Sequence, residues 1–272
     1  PRSLPIWYAT LCPHKRRSFR WSADARCIHE IELDQHTTVV MTEGGFVSSN
    51  TGEIDITEIS IGSVPNFRKS LPAGGVLDVR PTADYTFLGI NIANEDLSDV
   101  RVRQAIKKAI DVDAILEGAY FGVPEKSTGL VAPGLVGYTG VAPDPRDVDG
   151  AKALLAEAGV SDLNLEVDVL NTAEFITAAQ IIQANLGEIG INLQINQLDS
   201  GAFWNVAADR KEALQLTLNN YTSPPDPSWS TQWFLRDQKG IWNWVWLDSE
   251  KFDNLHFAAL KETDMKKRET MY

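Results

Sequence analysis

From Leu163 onward two periods take turns along the chain. The segments "LNLEVDVL" (163–170), "INLQINQL" (191–198) and "ALQLTLNNY" (213–221) alternate every second residue, the period of a half-buried strand. Between them, "AEFITAAQIIQANLGEIG", closed by Gly190, and "GAFWNVAADR" place apolar residues three and four apart, as an amphipathic helix does. This strand and helix alternation predicts an α/β layer with right-handed crossovers and a mainly parallel sheet. In such sheets ligands sit beyond the carboxyl ends of the strands.

Upstream, "DYTFLGINI" (84–92) reads as a further strand. Ser98 or Asp99 then caps a helix in which Val102, Ile106, Ala109 and Ile110 form one stripe. A loop rich in glycine and proline (127–147) leads to the helix "VDGAKALLAEAG", closed by Gly159. Nearer the start, "TTVVM" and "IDITEISI" read as short strands with "SNTGE" as the turn between them. The stretch "YTSPPDPSWSTQWF" (221–234) follows a strand with a stiff elbow, and Asp226 and Pro227 have the pattern of a helix cap and first helical residue. Trp229 and Trp233 lie four apart, as do Trp242 and Trp246 if that region is helical.

Composition narrows the classes. A formal charge of −12 argues against nucleic acid or an anionic membrane surface as the main partner. No run of about 18 apolar residues occurs, so no membrane-spanning helix is expected. Residues 1–27 depart from the rest, with Arg2, Lys15, Arg16, Arg17, Arg20 and Arg26 against the single acid Asp24. The chain starts at Pro1 and stops inside the helical-looking "DMKKRETMY", and it reads as a fragment.

Candidate chemistry is sparse. Cys12 with His14 and Cys27 with His29 form a C-x-H pattern, but this spacing is unlike that of structural zinc sites, so no metal and no cofactor are expected. Phosphate-loop, dinucleotide, zinc-protease and serine-hydrolase motifs are absent. Asp168, Asp199, Asp226 and Asp248 leave room for an acidic pair, whereas the tryptophans of the elbow and of "IWNWVW" suit recognition of a small organic ligand. Trp229 is the better placed for a cleft; Trp233 and Phe234 are expected to turn onto the sheet.

Several segments, in order, resemble the extracellular solute-binding proteins of family 5, which serve peptide, nickel and related ABC importers. They are "SSNTGEIDITEI", "YTFLGINIANEDLSDVRVRQAIKKAIDVDAILEGAYFG", "AKALLAEAGV", "INLQINQLDSGAFW" and "YTSPPDPSWSTQWF". The resemblance spans about 38–272, and residues 1–36 stand outside it as an anomalous segment. It implies a two-lobed type II periplasmic-binding fold, incomplete in this chain, with residues 37–92 in the first lobe leading to a hinge and 93–272 in the second. It also implies a monomeric, extracytoplasmic binding component that captures a peptide, oligosaccharide or opine-like solute between its lobes and delivers it to a membrane permease. The ligand-binding residues expected on this basis are Asn171, Tyr221, Thr222, Ser223, Trp229, Trp242, Asn243 and Trp244. Peptide-binding members resembling this chain carry an aspartate three residues before the Asp-Pro turn as counter-ion to the ligand ammonium; Ser223 stands there. A ligand without a free α-amine is the corresponding expectation. A hydrolase using an acidic pair in the same cleft is the alternative reading, and an adhesion or chemoreceptor-partner module shares the same fold.

Overall fold

The computed structural model describes residues 59–71, 75–79, 82–222 and 224–272, together with the short strands Arg17–Phe19, Ile31–Leu33, Val39–Val40 and Ile56–Thr57. Packing divides the chain into two compact units, Pro1–Arg80 and Pro81–Tyr272. In the first, Arg17–Phe19 pairs antiparallel with Ile31–Leu33, and Val39–Val40 pairs parallel with Ile56–Thr57. The parallel pairing differs from the expected arrangement of two strands joined by a tight turn, because parallel neighbours need a longer crossover. "SNTGE" and the Cys12, His14, Cys27 and His29 pattern lie outside the described residues. The stretch read as one strand, "IDITEISI", instead runs from Ile56–Thr57 into a 3-10 turn at Ile61–Ser63 and the helix Val64–Lys69.

The second unit is built on a four-stranded sheet. Its strands are β1 (Tyr85–Ile90), β2 (Leu163–Leu170), β3 (Ile191–Leu198) and β4 (Leu216–Tyr221), in the spatial order β1-β4-β2-β3. β2 runs parallel to both β3 and β4, while β1 is antiparallel to β4 with Phe87 opposite Asn219 and Gly89 opposite Thr217. β1 therefore packs with this unit, although the sequence resemblance placed residues up to 92 with the first lobe.

Side-chain alternation divides the sheet into two chemically distinct faces. Leu165, Val167 and Val169 of β2, Ile191 and Leu193 of β3, and Leu216 and Leu218 of β4 all face one core. Four helices cover that face: α1 (Val100–Ala109), α2 (Val112–Tyr120), α3 (Val148–Ala158) and α4 (Ala173–Gly187). The expected stripe of α1 holds at Val102, Ile106 and Ala109, each essentially inaccessible. Each fully buried aliphatic side chain of this layer contributes about 1.5–3 kcal/mol relative to exposure. The caps are local and strong: Asp99 accepts from the Arg101 amide at 2.8 Å and Asp147 from the Gly150 amide at 2.8 Å. Gly159 ends α3 at φ 71°, a left-handed position where glycine carries no steric cost.

The other face alternates with the first and carries Glu166 and Asp168 on β2, Asn196 on β3, and Thr217, Asn219 and Tyr221 on β4. Two short helices, α5 (Ser200–Phe203) and α6 (Val206–Arg210), stand where one continuous helix was expected. The chain turns at Trp204 and Asn205, which lets Phe203, Val206 and Ala207 enter one small core with Leu214 and Trp244. At the exit of β1, the buried Asn91 Nδ2 donates to the Leu214 carbonyl at 2.8 Å and to the Lys211 carbonyl at 3.2 Å. That clasp lies where Lys211 turns at a positive φ of 50° with ψ −125°, just ahead of β4.

Candidate functional site

The carboxyl ends of β2, β3 and β4 come together at one edge. Asn171 follows β2, is exposed, and donates its backbone N–H to the Leu198 carbonyl at the end of β3 over 2.8 Å. Asp199, next after β3, caps α5 by accepting from the Ala202 amide at 3.0 Å. β4 ends at Tyr221, and the chain then turns through the proline elbow into α7 (Pro227–Gln232). Asp226 caps α7 with Pro227 at its first position, as the sequence predicts, and its Oδ1 accepts from the Ser228 amide at 2.9 Å and hydroxyl at 2.6 Å.

A chain of aromatic rings runs along this edge. The rings of Trp229 and Trp233 are centred 6.3 Å apart, Trp233 and Trp242 5.5 Å, Trp242 and Trp204 6.2 Å, and Trp204 and Trp244 5.7 Å. These are tilted and edge-on arrangements, the geometry that ring quadrupoles favour. Trp229, Trp242 and Trp204 remain 43%, 37% and 36% exposed, so three indoles present faces to solvent from one continuous band. Thr222 is exposed beside the band's origin at the end of β4.

Three of the expected contact residues are framework instead. Tyr221 is buried against Phe87, Trp233 and Phe234, its hydroxyl donates to the Trp242 carbonyl, and burial pushes its pKa up. Asn243 is wholly buried, with Nδ2 donating to the carbonyls of Phe234, Leu235 and Leu247 and Oδ1 accepting from the Leu247 amide. Trp244 packs on Phe203 and donates Nε1–H to the Ile241 carbonyl at 2.8 Å. A side chain whose polar atoms are all consumed inside the fold has none left for a solute. Residues 241–246 form turns rather than a helix, and with Asn243 bonded inward between them Trp242 faces outward and Trp244 inward. Phe234 turns inward as expected, and Ser223 lies outside the described residues. Trp204 escaped the sequence reading because its exposure depends on the break between α5 and α6.

The acids considered for catalysis all have structural partners. Asp226 is held by Arg268 at 2.8 Å, Asp248 by Lys239 at 2.7 Å, and Asp199 caps α5. Asp168 lies under an open depression of about 620 Å³ lined by Asn196, Leu198, Ala202, Val206 and Arg210 among others. There Arg210 reaches Asp168 at 2.8 Å and Glu166 at 2.9 Å, and Asn196 Nδ2 donates to both carboxylates at 3.1 Å. Burial raises the Asp168 pKa, and the Arg210 charge offsets only part of that rise. Two carboxylates sharing one guanidinium form a closed network, not an acid and base poised on either side of a substrate. Among the described residues no cluster of three or more His, Cys, Asp or Glu is disposed to hold a metal ion. Among them, too, no helix is long and apolar enough to cross a membrane.

Solved structures share this architecture. HbpA2 from Haemophilus parasuis superimposes with a TM-score of 0.74 at 24% identity, covering 84% of this chain and 46% of its own. The periplasmic binding protein DppA from Helicobacter pylori, solved with the peptide STSA, gives 0.71 at 24% identity over 85% of this chain and 46% of its own. The fold is the type II periplasmic-binding fold, present here in part. Among curated relatives, the dipeptide-binding protein of Escherichia coli is 26% identical over 200 residues, 71% of this chain and 37% of that protein. The glutathione-binding protein GsiB of Salmonella typhi is 23% identical over 202 residues, 71% of this chain and 39% of that protein. The chain thus spans well under half the length of the curated relatives it matches. The model of bacterial extracellular solute-binding proteins, family 5 Middle, matches residues 43–242, and on that match the chain belongs to the family 5 solute-binding proteins.

Proposed function

We propose that the complete protein is the extracytoplasmic solute-binding component of an ABC importer. It captures a small organic solute between two lobes and delivers it to a membrane permease without chemical change. The observation that carries this reading is the band of exposed indoles, Trp229, Trp242 and Trp204, at the carboxyl edge of the sheet beside Thr222 and Asn171. Large, rigid aromatic faces with few rotatable bonds stack on a flat or apolar ligand surface at little entropic cost. Closure follows from the solute's differential affinity for the closed state, so no catalytic group is needed.

Ser223 narrows the solute class. A hydroxyl supplies hydrogen bonds but no counter-charge, and a buried ammonium left without one costs several kcal/mol. The preferred solute is therefore one lacking a free α-amine: a blocked peptide, an opine-like conjugate or an oligosaccharide. Tryptophan-fluorescence titration of the complete chain, as a monomer, with alanyl-phenylalanine, its N-acetyl derivative and maltotriose tests this. Binding of the blocked or sugar ligand, weakened about tenfold by Trp229→Ala, is expected, since about 1.4 kcal/mol corresponds to a factor of ten. Submicromolar binding of alanyl-phenylalanine, lost on acetylation, refutes the solute class. Turnover of any of these ligands refutes the receptor reading.

A further inference from the structure

Trp229 keeps much of its indole in solvent. It is 43% exposed, and among the described residues its one ring contact is with Trp233, at 6.3 Å and 55°. Its position is set by the backbone of α7, a helix of six residues, which is too short to persist unaided. External ties hold α7 along its length. In its middle, Tyr85 Oη of β1 donates to the Ser230 carbonyl at 3.1 Å. Thr231 Oγ1 is hydrogen-bonded to Nδ1 of the buried His256, in α8 (Glu250–Lys261), at 2.8 Å. At the other end, the Asp226 carboxylate caps the helix and receives Nη2 of Arg268, in α9 (Met265–Met271), at 3.0 and 2.8 Å. Arg268 is itself fixed, since its Nε donates to the Ala259 carbonyl at 3.0 Å and only 13% of its side chain is exposed.

We infer that Arg268 is a positioning residue for the solute wall: through Asp226 it sets the start of α7 and so the placement of the Trp229 indole. Without the guanidinium, one carboxylate must cap the helix while its second oxygen lies partly buried and unpaired, and the first turn loosens. Trp229 then loses its fixed orientation although it never touches Arg268 in the ring contacts described above. This inference rests on the reading that Trp229 lines the solute wall, but the movement it requires can be read without any solute.

The test uses the complete chain labelled with 5-fluorotryptophan, with the Trp229 fluorine resonance assigned by its loss in Trp229→Phe. Arg268→Ala is expected to shift and broaden that resonance, with a smaller shift at its ring neighbour Trp233, while those of Trp204 and Trp244 stay in place, and Arg268→Lys, which keeps the charge, to restore part of it. Asp226→Asn should move the same resonance, and the double variant should move it no further than the larger single one. An unmoved Trp229 resonance in Arg268→Ala overturns the inference, as do shifts that simply add in the double variant. If Arg268→Ala fails to fold, Arg268→Lys and Asp226→Asn carry the same comparison. No solute is present, so failure here is separate from failure of the solute-class titration.

Discussion

Replacing Asn243 by alanine separates framework from recognition in the tryptophan loop. Its two Nδ2 hydrogens face three carbonyls, those of Phe234 and Leu235 at 3.0 Å and Leu247 at 2.9 Å, while Oδ1 accepts the Leu247 amide at 3.0 Å. Two hydrogens cannot serve three acceptors fully, so the loss amounts to about two donated bonds and one accepted bond. A buried group left unsatisfied costs about 1–3 kcal/mol. The Phe234 and Leu235 bonds are buried and the Leu247 bonds only partly, so water repairs some of the damage. About 3–5 kcal/mol is the expected total for Asn243→Ala. At about 2–4 °C per kcal/mol for a domain of this size, the melting midpoint falls by roughly 6–20 °C. Asn243→Asp should fall at least as far, since it aims a carboxylate at three carbonyl oxygens. Calorimetry of the complete chain, with urea unfolding as a second probe, reads both. A drop under about 2 °C accompanied by lost solute affinity refutes the reasoning, because that is the signature of a ligand contact rather than a staple.

Gly89→Ala places a Cβ 2.6 Å from Thr217 Oγ1 and 3.4 Å from Val245 Cγ1, and should destabilise by about 1–3 kcal/mol in urea unfolding. Thr217→Ala in the same chain should recover part of that loss, and simple additivity rules out the clash as its cause. Asp99, held by the Arg101 side chain and amide, should titrate near 2 in carboxyl-carbon NMR. Its folded value is depressed, so its contribution is present above the unfolded value and is lost as pH falls through about 2; a midpoint near an ordinary 4 refutes it. Arg210→Met should raise the Asp168 pKa beyond its present, burial-driven elevation. A group raised in the folded state contributes below its unfolded value and loses that contribution as pH rises through the folded one, so the penalty of Arg210→Met should grow from pH 4 to pH 7. A pH-independent penalty in denaturant titrations contradicts this.

The parts of the fold written in local chemistry were readable from the chain. β2 and β3 alternate cleanly over eight residues each, and Asp99, Gly159, and Asp226 with Pro227 mark helix ends through bonds made close to themselves in the chain. What failed depended on contacts distant in sequence. Trp242 and Trp244 have the same residue type and nearly the same neighbours, yet one faces solvent and the other fills a core with Phe203, a choice made by the Asn243 staple and not by any period. Trp204 is exposed because α5 stops one residue earlier, which no hydrophobic pattern announces. The attachment of β1 to the second unit likewise rests on pairing with β4, more than a hundred residues away.

One tie of the rim reaches back, from Ser230 to Tyr85, but three point forward along the chain: Tyr221 to Trp242, Thr231 to His256, and Asp226 to Arg268. On the ribosome the last strand of the sheet is made once Tyr221 has emerged, but the rim cannot be completed until Arg268 follows. At about 5–20 residues per second, that interval lasts a few seconds. During it, the indoles of Trp229 and Trp233 are already synthesised while these forward partners are not. The indole band is thus tied down later than the sheet it edges, and a nascent chain halted before His256 carries a paired sheet whose Trp229 and Trp233 lack the Thr231 and Asp226 ties.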